Sequence, residues 1–276
     1  MNLAELPAGP AGAAPVAVLR WRGGRRSTLT DLVADEVAIA FEYNGVGHAV
    51  MMATPTDLDD FALGFSLAEG IVERADELYD CEAEAGRLGI TLHLEIAARR
   101  YAELQQRRRN LIGRTGCGLC GAAELTQVCR VLPRAPSAAP LRAAALSGAV
   151  GALRAQQRLG QATGATHAAA WCSAAGDVAL LREDVGRHNA LDKLIGALAR
   201  RQQPAAEGFI AVTSRASVEM VQKAAIAGVP LLVAVSAPTR LAIDAAQACG
   251  LALVGLARGD DLVVYCGDER IELDEG

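Results

Sequence analysis

Two cysteines three residues apart, Cys117 and Cys120, lie in the run Gly116-Cys117-Gly118-Leu119-Cys120-Gly121. The interleaved glycines let the backbone take conformations that present both sulfurs. Arg114 and the tract Arg107 to Arg109 lie just upstream, and nearby positive charge favours thiolate over thiol, which makes a cysteine nucleophilic near neutral pH. The same field stabilises a persulfide anion. A structural zinc half-site would need a second ligand pair, and the chain has no second C-x-x-C. A thioredoxin-like pair belongs at a strand-to-helix junction of a βαβ unit, not in a glycine-crowded loop. Nucleophilic transfer suits an exposed loop best, although the spacing alone leaves metal binding and thiol chemistry open, and two loop cysteines without a role are the plain alternative.

His93-Leu94-Glu95 followed by Cys117 and Cys120 imitates the H-x-E and P-C-x-x-C signature of zinc deaminases. That signature needs a helix at H-x-E, whereas GITLHLEI alternates as a strand and points His93 and Glu95 to one sheet face. Gly116 also replaces the proline before the first cysteine. A deaminase reading therefore fails on local structure, and no permanent metal is expected.

A second group of polar residues follows Arg182: Glu183-Asp184-Val185-Gly186-Arg187-His188-Asn189-Ala190, opening a helix through Asp192 and Lys193. A helix N-terminus beside Gly, Arg and His suits a phosphate or other anion. A solvated loop with an ordinary helix cap is the plain alternative. Thr213-Ser214-Arg215-Ala216-Ser217, Ser236-Ala237-Pro238-Thr239 and the stretch Leu256 to Asp261 each follow a later strand. Hydroxyl- and glycine-containing loops along one edge of an α/β sheet form a polar cleft suited to a nucleotide-like ligand.

The elements that position these residues alternate. Glu36 to Pro55 reads as two strands around Asn44-Gly45, the strongest short hairpin signal. Thr56 to Asp59 caps a helix closed by Gly70. The second half reads as strands THAAAWCSA, VALLRED, GFIAVTS, PLLVAVSA, LALVGLA and LVVYC, interleaved with helices NALDKLIGALARR, VEMVQKAAIAGV and TRLAIDAAQACG. This is an α/β sheet covered on both faces. We expect an α/β chain of two lobes: a loose leader over 1–15, a first lobe over 16–135 carrying the cysteine loop at about 113–122, and a cofactor-binding lobe over 136–276. Residues 131–150, rich in Pro, Ala, Ser and Leu, read as the link. The chain has 276 residues, of which 51% are hydrophobic, enough for a buried core. A net charge of −5 argues against nucleic-acid binding. The absence of a long apolar run or a basic N-terminal signal predicts a cytoplasmic protein without membrane contact, and seven cysteines there do not form a disulfide framework.

Taken together the residues resemble the formate dehydrogenase accessory sulfurtransferase family, FdhD or NarQ, from about Phe41 to Tyr265. The resemblance rests on Asn44-Gly45, Thr54-Pro55, Gly64-Phe65, Glu69-Gly70, the loop Gly116 to Gly121, Thr166-His167-Ala168-Ala169, Glu183 to Ala190 with Asp192-Lys193, Ser214-Arg215-Ala216-Ser217, and Ala237-Pro238-Thr239. It implies that Cys117, with Cys120 as second thiol, accepts sulfur from a cysteine desulfurase as a persulfide. It implies delivery to the bis-molybdopterin guanine dinucleotide cofactor of a formate dehydrogenase, a homodimer, and a second lobe akin to the cytidine deaminase fold. Leu256, Ala257, Arg258, Gly259, Asp260 and Asp261 match the family's cofactor-binding stretch, with Arg187, His188, Asn189, Ser214, Arg215, Ser217 and Thr239 as further contacts. Leu256 stands where an aromatic residue is usual and Asp261 where a basic one is common. A cofactor-binding chaperone without persulfide chemistry is the alternative function.

Overall fold

The computed structural model describes residues 9–112, 131–259 and 261–273, with the backbone alone for 108–112. Cys117, Cys120 and Asp260 lie outside the described residues.

The second lobe is built on a six-stranded sheet of β8 (His167–Ser173), β9 (Val178–Asp184), β10 (Gly208–Val212), β11 (Leu231–Ala234), β12 (Ala252–Arg258) and β13 (Asp261–Cys266). Its order is β13-β12-β11-β10-β8-β9. β10, β11 and β12 run parallel. β8 is antiparallel to both β10 and β9, so β9 ends on the same edge as the three parallel strands. Four strands thus deliver their C-terminal ends to one side. The central strands are buried on both faces, and this is why GFIAV and LLVA read as unbroken apolar runs. Helices α5 (Arg187–Arg200), α6 (Val218–Ile226) and α7 (Arg240–Cys249) cover one face, with Leu191, Leu194, Met220 and Ala246 against Ile210, Leu232 and Leu253. Helix α3 (Ala143–Gln156) covers the other through Leu146, Val150 and Leu153. The segment read as an inter-lobe link therefore contains a helix from Ala143; its Ala-rich composition hides a buried stripe at Leu146, Ala149, Val150 and Leu153. A short α4 (Arg158–Thr163) follows it, and β7 (Leu141–Arg142) pairs with β14 (Ile271–Glu272).

The first lobe is a four-stranded sheet of β3 (Val37–Tyr43), β4 (Val46–Ala53), β5 (Leu78–Gly86) and β6 (Gly89–Ile96), in the order β4-β3-β6-β5. Asn44 and Gly45 have φ of 47° and 79°, the left-handed pair that a two-residue hairpin turn requires. Alternation sends Ile39, Phe41, Tyr43, Leu92 and Leu94 inward onto α1 (Leu58–Ala68), where Phe61 and Phe65 meet Phe41. Asp57 precedes α1 with φ 52° and makes no side-chain cap. The expected cap is absent because its carboxylate turns to Arg182 at 3.3 Å. The basic run before the cysteines forms α2 (Ala98–Ile112), with Leu104 in the first-lobe core. Ahead of this lobe, β1 (Ala13–Arg22) and β2 (Arg25–Ala34) form a hairpin that begins within the stretch read as leader.

The lobes meet at a crossing of α1 and α5 made possible by two glycines. A Cβ on Gly64 would stand 1.7 Å from the Asp192 carbonyl oxygen, and one on Gly196 1.9 Å from that of Asp60. Backbone therefore touches backbone, and side chains such as Lys193 reach across into the other lobe.

Candidate functional site

The edge where β9, β10, β11 and β12 end gathers the predicted loops in sheet order. Val185-Gly186 leads into Arg187 at the start of α5, and Thr213 to Ser217 lead into α6. Ser236 to Thr239 lead into α7, and β12 turns through Arg258 and Gly259 into β13. His167, first residue of β8, faces Asp184 across the ladder. Three helices thus begin at one edge and direct the positive ends of their dipoles toward it, the arrangement that holds anions in α/β proteins.

Within this edge the polar groups divide into those already bonded and those left open. Glu183 accepts from the backbone N–H of Leu159 at 2.9 Å and of Gly160 at 2.7 Å, and from Thr166 Oγ1 at 3.1 Å, so it caps α4. Asp184 and Lys193 form a wholly buried ion pair at 2.6 Å. Lys193 Nζ also donates to the Thr54 carbonyl at 2.8 Å, and Thr54 N–H donates to Asp184 Oδ2 at 3.0 Å. Asn189 Nδ2 donates to Met52 O at 2.9 Å and Asp184 Oδ1 at 3.0 Å, and a Cβ at Gly186 would stand 2.7 Å from it. The amide N–H groups of Asn189, expected as a cofactor contact, go to Met52 of the first lobe and Asp184 of the second. Burying these charges is tolerable only because each has charged and hydrogen-bonding partners. A second junction pair, Arg182 with Asp60 at 2.6 Å, also accepts Arg200 on the same carboxylate. Sequence reasoning missed Thr54, Asp60, Arg182 and Lys223 as junction residues, since their partners lie far along the chain.

Among the described residues, Arg187 Nε, His188 Nε2 and Ser217 Oγ are buried without a hydrogen-bond partner. His188 Nε2 stands 4.0 Å from the nearest Glu219 oxygen. Burial, then Arg187 and Lys223, hold the His188 imidazole below its ordinary pKa, with Arg215 acting the same way. His167 is also lowered, by burial and then Arg187. The Ser217 hydroxyl lies outside bonding geometry, yet it is close enough to be the main influence holding Glu219 below the usual carboxylate range. Lys223 donates to Asp192 at 2.7 Å and Glu69 at 3.3 Å. Burial opposes its charge, but the two carboxylates outweigh it and raise its pKa. A buried donor left open costs about 1–3 kcal/mol, so a cluster of such groups among Arg187, Arg215 and Lys223 fits an anionic ligand that would satisfy them.

The remaining predicted contacts line the same edge in different states. Ser214 is buried and donates to the Arg215 carbonyl at 2.9 Å. The Thr239 hydroxyl accepts from Ala242 N–H at 3.3 Å as the α7 cap. Leu256 has φ 53° at a break in the β12–β13 ladder, Ala257 is buried, and Arg258 lies opposite Asp261 in register. This pairing places a basic side chain beside the acidic Asp261. His93 lies on β6 as expected, its ring nitrogens 3.1 Å from Glu42 and 3.0 Å from Glu84.

Residues 34–272 match the FdhD/NarQ family. The chain belongs to that family. Among FdhD relatives, the sulfur carrier protein FdhD of Variovorax paradoxus (strain S110) is 54% identical over 271 residues, covering 98% of both chains. That of Xanthomonas euvesicatoria pv. vesicatoria (strain 85-10) is 56% identical over 256 residues, covering 93% of this chain and 91% of the relative. The crystal structure of a protein described as a formate dehydrogenase accessory protein from Desulfotalea psychrophila superposes with a TM-score of 0.73 at 23% identity, covering 94% of this chain and 99% of the other, which establishes a shared FdhD fold. No helix among the described residues is long and apolar enough to cross a membrane.

The described residues on either side of the cysteine segment pack near the end of α1. Arg107 donates to the Gly70 carbonyl at 3.0 Å beyond α1, and Val131 to Pro133 border a cavity of about 590 Å³ against Leu67, Ile195 and Leu198 on the later turns of α1 and α5. Arg187 begins α5, whereas Ile195 and Leu198 on the cavity wall lie on its later turns.

Proposed function

We propose that this FdhD protein carries sulfur from a cysteine desulfurase, as a persulfide on Cys117, to the bis-molybdopterin guanine dinucleotide cofactor used by a formate dehydrogenase. The cofactor would be held at the strand edge by Arg187, His188, Arg215, Ser217 and Arg258. The observation that carries the reading is that Arg187 Nε and His188 Nε2, at the start of α5, are buried with no hydrogen-bond partner among the described residues, and such groups suit phosphate oxygens. The relatives' description as sulfur carrier proteins supports the sulfur-carrying half.

In the first step the Cys117 thiolate attacks the terminal sulfur of the desulfurase persulfide, the S–S bond breaks, and the desulfurase cysteine leaves as thiolate. No net oxidation occurs. For delivery, attack of the Cys120 thiolate on the inner sulfur of Cys117 forms a Cys117–Cys120 disulfide and expels the terminal sulfur as sulfide. The Cys120 sulfur gives up one electron and the expelled sulfur gains one, while Cys117 stays at the disulfide level, and a dithiol reductant resets the pair. His188, neutral at rest, orients and stabilises the anion.

Two assays separate the halves. Intact mass spectrometry after incubation with a desulfurase and cysteine should record a gain of roughly 32 Da on the Cys117 peptide that reductant removes, and Cys117→Ser should abolish it. Calorimetric titration with guanosine diphosphate should give binding that Arg187→Met weakens at least about tenfold, the loss of one charge-assisted contact, while Cys117→Ser leaves it unchanged. A Cys117/Cys120 double variant that still activates the dehydrogenase would sink the sulfur-carrier reading.

A further inference from the structure

The strand edge has a crevice where β8 begins. Between β9 and β10, β8 runs antiparallel to both, so its first residue lies where the two neighbours end. α5 follows β9 and α6 follows β10, which puts the starts of these helices on either side of that residue. They come close across it, with His188 Nε2 on α5 4.0 Å from a carboxylate oxygen of Glu219 on α6. One wall offers Arg187 Nε and His188 Nε2, and the other the hydroxyl of Ser217, a residue only 7% exposed; among the described residues none of the three has a hydrogen-bond partner. α/β sheets hold ligands in such crevices, outside the carboxyl ends of their strands.

The residue on the floor of this crevice is His167, the first of β8. Alternation decides which way it faces. Ala168, Ala170 and Cys172 pack on the α3 side of the sheet, Ala169 and Trp171 on the side of α5 and α6, and His167 shares the parity of Ala169. Its neighbours are fixed on both flanks: Thr166 Oγ1 donates to Glu183 at 3.1 Å, and Ala168 N–H donates to Thr213 Oγ1 at 2.9 Å. Across the ladder stands Asp184, but each of its oxygens already accepts twice. Oδ1 takes Gly186 N–H at 2.8 Å and Asn189 at 3.0 Å, and Oδ2 takes Thr54 N–H at 3.0 Å and Lys193 at 2.6 Å. Burial and the Arg187 cation oppose a proton on His167, Asp184 favours one, and no hydrogen bond among the described residues contributes.

We propose that His167 is a further ligand contact of this site: from the crevice floor between the starts of α5 and α6, its imidazole donates to an oxygen of the bound phosphate groups and takes up a proton from solvent as they bind. The inference rests on the reading that this edge holds the phosphates of the cofactor. A neutral imidazole has one N–H to give, and a phosphate oxygen is the acceptor that Asp184 cannot be. The proton follows from the change of field. Around the crevice stand Arg187 and His188 on α5, Asp184 in its ion pair with Lys193, and Arg215, Glu219 and Lys223 from α6 and the loop before it. Without a ligand, Arg187 opposes a charge on His167; a phosphate anion beside Arg187 cancels that opposition and favours the imidazolium.

Calorimetric titration of the full chain with guanosine diphosphate at pH 8 and pH 6 tests this on two variants. His167→Ala, which removes the donor, should weaken binding at pH 8 at least about fivefold. His167→Gln keeps an N–H but cannot gain a proton, so it should bind at pH 8 within about threefold of the native protein. From pH 8 to pH 6 the native affinity should gain at least about threefold over that of His167→Gln, equivalent to half a pKa unit of coupling; the ligand's own titration is common to both. Repeating the titrations at pH 6.5 in buffers of different ionisation heat should show the native protein taking up more protons than His167→Gln. Circular dichroism establishes that each variant is folded, and His167→Gln carries the test if His167→Ala is not. Native binding with an unweakened His167→Ala, or with the same pH dependence and proton uptake in His167→Gln, overturns the inference alone, as does a His167→Gln that loses affinity equally at both pH values, the mark of a purely structural role. A native protein that does not bind guanosine diphosphate overturns it together with the reading of the edge.

Discussion

His188 shows how a residue's surroundings set its chemistry before any ligand arrives. The folded chain holds its pKa below the ordinary value of about 6.5 through burial and the cations Arg187, Lys223 and Arg215. The unfolded chain therefore binds a proton more readily, and stability must fall as pH drops through the ordinary histidine range. Urea denaturation between pH 8 and pH 5 should find the native protein losing more stability than His188→Asn; equal losses would show that the imidazole titrates as if solvated. An anion bound at the edge reverses the local field, so guanosine diphosphate affinity should rise as pH falls, and rise less in His188→Asn.

At the scale of elements, the α1–α5 crossing carries the fold's tightest constraint. Alanine normally stabilises a helix relative to glycine by about 1 kcal/mol. At Gly64 the sign reverses, because its Cβ would overlap the Asp192 carbonyl oxygen. Gly64→Ala must push the helices apart, and an overpacked core costs about 1–3 kcal/mol. The movement also stretches the reach of Lys193 to Thr54 and of Arg182 to Asp60. The measurement is the midpoint of urea unfolding against a control substitution at exposed Gly148, where a Cβ meets nothing within 4 Å and alanine should not destabilise. A Gly64→Ala protein as stable as native would show that the helices can separate freely.

For the whole molecule, the two lobes share one charged interior. Asp184 and Lys193 belong to the second lobe, yet their bonds end on Thr54 of the first. The lobes should therefore unfold together, with Trp171 fluorescence, inside the second-lobe core, and far-ultraviolet circular dichroism giving coincident transitions. Lys193→Met leaves Asp184 without its ion-pair partner, and a broken buried pair costs about 3–5 kcal/mol. Two separated transitions in the native protein would show that the junction does not couple the lobes.

Much of this organisation was legible in the chain itself. The second-half strands and helices followed from alternating apolar runs, the Asn44-Gly45 hairpin from its turn chemistry, and the polar edge from loops after successive strands. Their local signals suffice because hydrophobic period and turn residues act over a few positions. Helices α2 and α3 were not visible, since α2 carries many charges around a few buried residues and α3 hides its stripe among alanines. Nor could the sequence separate Arg187 and His188, left open to a ligand, from Asn189 and Lys193, turned into the lobe junction, although all four stand within one motif. That division depends on Thr54 and Met52, more than a hundred residues earlier. The sequence by itself determined which elements form and which polar residues reach the edge; only the tertiary structure decided which of them are spent on joining the lobes, because hydrogen-bond partners brought together by packing leave no periodic trace along the chain.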